Sequence, residues 1–299
     1  MKLYDCFQFF DEEMLLDLRL NIMNKYVDKF VITEATYTHN GKPKKLNFDL
    51  NKFKKFKDKI VYIVVEQQPQ DLLTVYNTDN DKEDTKGQKL ILNGYKRDNY
   101  QREMANKFLK NIDRNDWILI NDIDEIPNLK NIDFSIIKNK LVFFKQQIYF
   151  YKFNLHYPSS PWFGSRACMK KDFISPQWLR DVKQKKYPFW RLDTFISKKK
   201  YQNIKYINDG GWHFTNIKTP ENILKKLLNY THHDEFEKSG IGLDLLKKKI
   251  TEKKAIYDHS VDQKANKWNS TTKLTKKDLK EMPDYLRENY KKYADWIEV

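Results

Sequence analysis

Three acids close the segment Trp117-Ile118-Leu119-Ile120-Asn121-Asp122-Ile123-Asp124-Glu125-Ile126-Pro127. Asp122 and Asp124 are two residues apart, so in an extended chain their side chains share a side. Hard carboxylate oxygens on one side suit Mg²⁺ or Mn²⁺, best when a substrate phosphate completes the shell. The corresponding chemistry is neutralisation of charge on a phosphorylated substrate. For so short a pattern, a solvated acidic turn is the plain alternative. A second set lies far along the chain, in Asp209-Gly210-Gly211-Trp212-His213-Phe214. His213 suits a third Mn²⁺ ligand, although a lone histidine is more often structural. The two glycines allow the backbone to approach a ligand closely. His232-His233-Asp234-Glu235 also carries metal-type ligands, and reads equally well as a surface turn.

These residues need elements to hold them. Trp117 to Ile120 predicts a strand buried on both faces, as in a parallel sheet. Ligands of open α/β sheets bind beyond the carboxyl ends of strands, where these acids stand. Upstream, Lys2–Phe10 reads as a strand, Asp11 as the cap of a helix to about Lys25, and Val27–Ile32 as a second strand. That is a βαβ opening of the nucleotide-binding kind. The second strand enters a loop in which Glu34 or Thr36 suits a base or ribose and Tyr37 suits stacking. Lys42–Lys59 predicts an amphipathic helix, Ile60–Val65 a third strand and Asp71–Lys89 a long loop. Tyr95–Ile112 predicts a helix whose Arg97, Arg102 and Lys107 stand near a diphosphate or are simply solvated, and Leu141–Phe153 predicts one or two strands. Between Pro158 and Trp190, Trp162, Phe163, Trp178, Phe189 and Trp190 mix with prolines and with Arg166 and Arg180, with Arg191 just beyond. Such aromatic faces stack on sugar rings or simply fill cores. Thr219-Pro220-Glu221 opens a helix with a cap, a first-position proline and a first-turn acid.

Composition sets the bounds. The chain has 299 residues, 40% hydrophobic and 15% aromatic, which supplies a core and excludes global disorder. Cys6 and Cys168 are too few for a disulfide framework and predict free thiols in a reducing compartment. No secretory leader pattern and no apolar run of membrane-spanning length is present, so the expectation is a soluble, cytoplasmic protein. The formal charge of +15 points to an anionic partner: nucleotide, nucleic acid or acidic membrane surface. A general lysine bias would produce the same charge without specific binding.

The chain also resembles glycosyltransferase family 17. The resemblance is carried in order by Asp11-Glu12-Glu13-Met14-Leu15-Leu16-Asp17-Leu18-Arg19, by Glu34-Ala35-Thr36-Tyr37-Thr38 with Gly41-Lys42-Pro43 and Leu46-Asn47-Phe48, by Asp122-Ile123-Asp124-Glu125-Ile126-Pro127, and by Gly211-Trp212-His213-Phe214 with Thr219-Pro220-Glu221. It implies an α/β fold of GT-A type: a Rossmann-like mixed sheet flanked by helices, in a single domain over 1–299, with 219–299 mainly helical. It implies metal-dependent, inverting transfer of a sugar, GlcNAc in the first instance, from a UDP-sugar to a glycan or glycolipid acceptor. On that reading Asp122, Asp124 and His213 hold Mn²⁺ or Mg²⁺. Glu34, Thr36, Tyr37, Arg102 and Asp122 contact the nucleotide, and Trp162, Arg166 and Trp212 contact substrate. Asp209 and Glu221 are the two candidates for the base that inversion needs. The family's membrane-anchored animal enzyme has a segment not suggested here, so the expected place is the cytoplasm, with peripheral contact to the inner membrane face. Two other readings share the acids: a metal-dependent nuclease or phosphoesterase, and a glycan-binding protein without turnover. No specific nucleic-acid partner is expected.

Overall fold

The computed structural model describes residues 1–76, 85–185, 187–188, 190–259 and 267–299. The opening alternation folds as expected, with β1 (Leu3–Gln8), α1 (Glu13–Met23), β2 (Lys29–Ala35) and β3 (Ile60–Val65). The three strands are parallel neighbours. Asp11 does not cap α1. Glu12 stands at the cap, and its carboxylate turns back to accept the backbone N–H groups of Phe10 and Asp11. Leu16, Leu18 and Leu20 of α1 are fully buried against the sheet, each contributing about 2 kcal/mol by burial.

The lysine-rich stretch after β2 is irregular until a kinked 3₁₀ helix, Leu50–Lys59, which buries Phe53 and Phe56. The loop expected over Asp71–Lys89 is shorter on its C-terminal side, because α2 (Thr85–Glu103) already includes Lys86 and Lys89. Residues 77–84 of that expectation, and Phe189, lie outside the described residues. The helix expected to run to Ile112 ends at Glu103 and resumes as the single turn α3 (Asn106–Leu109).

β4 (Trp117–Ile120) pairs parallel to β1 on one side. It is buried on both faces, as its apolar run predicts. Its other neighbour is antiparallel, so the sheet is mixed. The chain continues through β5 (Glu125–Pro127), β6 (Leu141–Phe144), β7 (Gln146–Phe150), β8 (Leu155–Trp162) and β9 (Arg166–Met169). Next come α4 (Pro176–Asp181), α5 (Asp193–Ile196), β10 (Ile204–Ile207) and β11 (Gly211–Thr215). The larger sheet has seven strands in the order β10-β6-β9-β4-β1-β2-β3. Its two faces are covered by separate clusters. One packs α1 and C-terminal residues such as Leu286 and Tyr293, the other Leu109 of α3 and Trp178 and Leu179 of α4. The arrangement is α/β and Rossmann-like.

The C-terminal part is mostly helical, with α6 (Pro220–Leu227), α7 (His233–Lys238), α8 (Leu243–Thr251) and α9 (Asp284–Glu288). Thr219 caps α6 as its sequence predicts, accepting the N–H of Asn222. One short strand, β12 (Thr275–Lys276), completes a second sheet ordered β12-β8-β7-β11-β5. Here β11 runs antiparallel to β5, with His213 opposite Glu125. This pairing brings the two distant motifs together.

Candidate active site

The acidic turn is fixed from below. Arg19, on α1, is fully buried and forms a bidentate pair with buried Asp5 of β1, at 2.6 and 2.8 Å. Its Nη1 donates to the carbonyls of Asp122, Ile123 and Glu125 at 3.2, 3.3 and 2.6 Å. Asn121 donates to Asp5, and the Glu125 carboxylate accepts the N–H of Asp122. Helix, first strand and turn are therefore locked in one buried network, so the direction of the acids is set before any ligand arrives.

Asp122 and Asp124 leave this turn into different surroundings. Asp122 accepts from Arg180 at 2.8 Å and from Arg102 at 3.2 Å. Burial pushes its carboxyl up, but the two guanidinium groups outweigh burial and hold it well below the usual carboxylate range. Arg180 also reaches Glu125, at 2.6 and 3.1 Å, and Glu125 accepts from Trp162 Nε1 at 2.5 Å. Asp124 faces the other way. Its nearest cationic partners are Lys226 Nζ at 3.5 Å and His213 Nε2 at 3.7 Å. Burial is the main cause that raises its pKa, and neighbouring Asp122 and Glu125 add to it, while Lys226 and His213 only partly offset them. Lys226 lies between Asp124 and Glu12 and is held charged by both.

Asp122, Asp124, Arg102 and Lys226 line a cleft of about 250 Å³ beyond the carboxyl ends of β1, β2 and β4. Tyr37, Thr38, His39, Gln8, Asp98 and Tyr230 also line it, and His39 Nε2 stands 3.8 Å from Asp98, which pairs with Arg102. Burial lowers the His39 pKa, which favours the neutral ring.

Several expected site residues are placed elsewhere. Glu34 is fully buried and consumed structurally: Lys44 and Tyr62 pair with it, and the N–H groups of Asn47 and Phe48 donate to it. It organises the loop rather than reaching the cleft. Thr36 donates weakly to the carbonyls of Val65 and Glu66 at 3.5 and 3.4 Å, and is not a lining residue. Tyr37 does line the cleft, with its hydroxyl donating to the carbonyl of Gln67 at 3.0 Å. Arg166 donates to the carbonyls of Phe163, Leu179, Arg180 and Val182 and lies over the Phe143 ring. Through Nε and Nη1 it fastens the end of α4, and it is not a lining residue of the cleft. Trp162 stacks on His213, with ring centroids 5.1 Å apart.

Asp209, Glu221 and Trp212 are not brought to the cleft. Alternation along β11 turns His213 towards Asp124 and Trp212 to the opposite side. Trp212 and Asp209 line a larger cavity, about 810 Å³, between β11, α1 and residues 277–288. Asp209 accepts from Asn128 at 2.9 Å, and Trp212 Nε1 donates to the carbonyl of Glu281 at 3.0 Å. Glu221 sits on the surface, paired with Lys247 at 2.9 Å. The two glycines serve neighbouring chain rather than a ligand. A Cβ at Gly211, where φ is +108°, would meet the Ile126 carbonyl at 2.2 Å, and one at Gly210 would meet the Lys145 nitrogen at 2.3 Å. His232 and Glu235 pair with each other at 3.1 Å, His232 also contacts Tyr95, and His233 binds the Tyr230 carbonyl.

Residues that sequence reasoning passed over complete the site. Arg180 appeared only as one of three arginines among tryptophans. Glu12 stood out only as a first-turn acid of the opening helix, and Lys226, Asp98 and Gln8 gave no signal of their own, since each is an ordinary polar residue of a helix or strand. The spacing Lys226 to Ile223 and Leu227, polar beside apolar on one helix, was the nearest trace.

Among the described residues no group of three or more His, Cys, Asp or Glu side chains is arranged to hold an ion. Asp124 and His213 fit as a pair. A carboxylate oxygen and an imidazole Nε2 at 3.7 Å converge on one space, leaving other positions for substrate oxygens. The other imidazole nitrogen, Nδ1, is buried with no hydrogen-bond partner among the described residues.

The family model for glycosyltransferase family 17 matches residues 1–296. No curated protein and no solved structure gives a significant match.

Proposed function

The chain belongs to glycosyltransferase family 17 and is a glycosyltransferase, and on that premise we propose that its cleft transfers a sugar from a UDP-sugar to a glycan acceptor with inversion. The supporting observation is that His213 and Lys226 both approach Asp124, at 3.7 and 3.5 Å, where Asp124 and Lys226 line a cleft that Tyr37, Thr38 and His39 also line. Tyr37 and His39 supply ring faces and polar atoms for a uridine. Arg102 and Lys226 supply positive charge for a diphosphate. Asp124 Oδ1 and His213 Nε2 would hold Mn²⁺ or Mg²⁺, which when bound neutralises the charge developing on the leaving diphosphate. Asp122 stays with its two arginines and keeps them oriented.

In the transfer, the acceptor oxygen forms a bond to the anomeric carbon as the bond to the diphosphate oxygen breaks, and UDP leaves. The hydroxyl proton passes to a base reaching the cleft, which Asp209 and Glu221 do not do. GlcNAc is the sugar that the family points to first. A panel of UDP- and GDP-sugars tests the reading by release of nucleoside diphosphate, with and without Mn²⁺. Turnover of a UDP-sugar, UDP-GlcNAc foremost, is expected. Cleavage of nucleic acid without hydrolysis of any sugar nucleotide would overturn it in favour of a nuclease.

A further inference from the structure

After α4 the chain turns three apolar side chains, close together in sequence, to solvent. Trp190, Leu192 and Ile196 are 66%, 74% and 89% exposed. All three fall within seven residues, on the turn that leads into α5 and on α5 itself. Ile136, elsewhere, is exposed to a similar degree, but as a single side chain. Scattered single apolar residues are ordinary on protein surfaces, whereas a contiguous set marks a contact surface.

The same segment is strongly basic. Residues 183–200 contain six lysines and Arg191, against one acid, Asp193. Asp193 is already taken by Arg191 and Lys200, and Lys199 pairs with Asp181. Lys183, Lys185 and Lys198 of the same segment are exposed. The segment is fastened to the protein rather than hanging from it. Trp178 Nε1, on α4, donates to the Lys198 carbonyl at 2.5 Å, and the N–H of Lys183 donates to the Lys199 carbonyl at 2.7 Å. Thr194 and Gln202 tie the turn at its base. Through α4 it is continuous with Arg180, which reaches the Asp122 carboxylate of the cleft.

A tryptophan and two aliphatic side chains, exposed within a lysine-rich segment, match the interfacial zone of an anionic bilayer: apolar groups enter the acyl boundary while ammonium groups stay among phosphates. We propose that Trp190, Leu192 and Ile196, with Lys183, Lys185 and Lys198, form a docking surface for an anionic lipid membrane. A second protein would have to bury the same lysines against acids, and the chain's own excess charge of +15 disfavours a second copy of itself. The docking does not depend on which sugar is transferred, or on whether any is.

Co-sedimentation of the full chain with vesicles tests this directly. The protein is expected to pellet with vesicles of phosphatidylcholine mixed with phosphatidylglycerol, to stay in solution with phosphatidylcholine alone, and to release as salt is raised. Replacing all three apolar side chains, Trp190→Ser, Leu192→Ser and Ile196→Ser, should lower the bound fraction about tenfold or more with an unchanged melting temperature. The separate charge variant, Lys183→Glu with Lys185→Glu and Lys198→Glu, should also release the protein from the mixed vesicles. Wild-type protein that stays in the supernatant would overturn the proposal. So would a serine variant that binds like wild type, which would assign binding to overall charge. A wild-type dimer in solution that the serine variant dissociates would give the patch to a second copy.

Discussion

Asp122 and Asp124 stand two residues apart on one turn, yet the two sides of the cleft treat them oppositely. On the Asp122 side, Arg102 and Arg180 satisfy the carboxylate and keep it ionised. On the Asp124 side, the nearest cations stand off at 3.5 and 3.7 Å, and burial makes the ionised form costly. Asp122 is partly exposed and satisfied by two guanidinium groups, as a scaffold charge is, whereas Asp124 is buried and underpaired, as a group that takes a ligand is expected to be. The comparison teaches that spacing alone assigns equal roles to two acids that the fold makes different.

The largest expected effect is on turnover. Asp124→Asn should lower kcat/KM by about a thousandfold or more, as removal of a preorganised charge at a reacting centre does. Its melting temperature should equal or exceed that of wild type, because the amide removes a poorly paired buried charge. A clear loss of stability in that variant would break the contrast. Next comes Arg180→Met, which strands the buried carboxylate of Glu125 and half-releases Asp122. A loss of about 3 kcal/mol in unfolding free energy is expected by urea titration. A stability unchanged within error would mean that Arg180 belongs to the ligand and not to the scaffold.

Acid sensitivity gives a smaller effect. Burial would raise the Glu12 pKa, but Lys218, Lys226 and two backbone N–H groups outweigh it and hold the carboxyl at about 2. A lowered folded-state pKa adds stability that is present above the unfolded value, about 4.3, and is lost as pH falls through the folded one. Between pH ~4.5 and ~2, Glu12→Gln should therefore flatten the decline in stability by roughly 1–3 kcal/mol. Identical acid limbs would remove Glu12 from the network. The smallest effect is expected at Asp209, which faces the other cavity. Asp209→Asn should leave kcat within about twofold, since surface changes away from the reacting groups cost little. A thousandfold loss there would return the base to Asp209.

Much of this was legible in the chain. The apolar run before Asp122 predicted a doubly buried strand, and Ile60–Val65 folds with the expected bounds. Strand alternation separates Trp212 from His213, which the resemblance had placed at one site. The partners were harder to see. Arg180 meets Asp122 across 58 residues, and Lys226 meets Asp124 across about a hundred, on helices whose local pattern gives no reason to favour one charged residue over another. Glu34 misled because an acid in a nucleotide-side loop looks free until four donors converge on it. Gly210 and Gly211 did mark a close approach, but the approaching group is the backbone of Ile126 and Lys145. Distant pairing sets these roles, and single-chain spacing carries no record of it.

The claim that the Asp124 side holds an ion and a nucleoside diphosphate together is tested most directly by the shift in melting temperature that UDP produces in Mn²⁺ and in EDTA, for wild type and Asp124→Asn. The account predicts a larger shift in Mn²⁺ than in EDTA for wild type, and no Mn²⁺-dependent gain for Asp124→Asn. Equal shifts in Mn²⁺ and EDTA for wild type, or a full Mn²⁺-dependent gain in the variant, would contradict it.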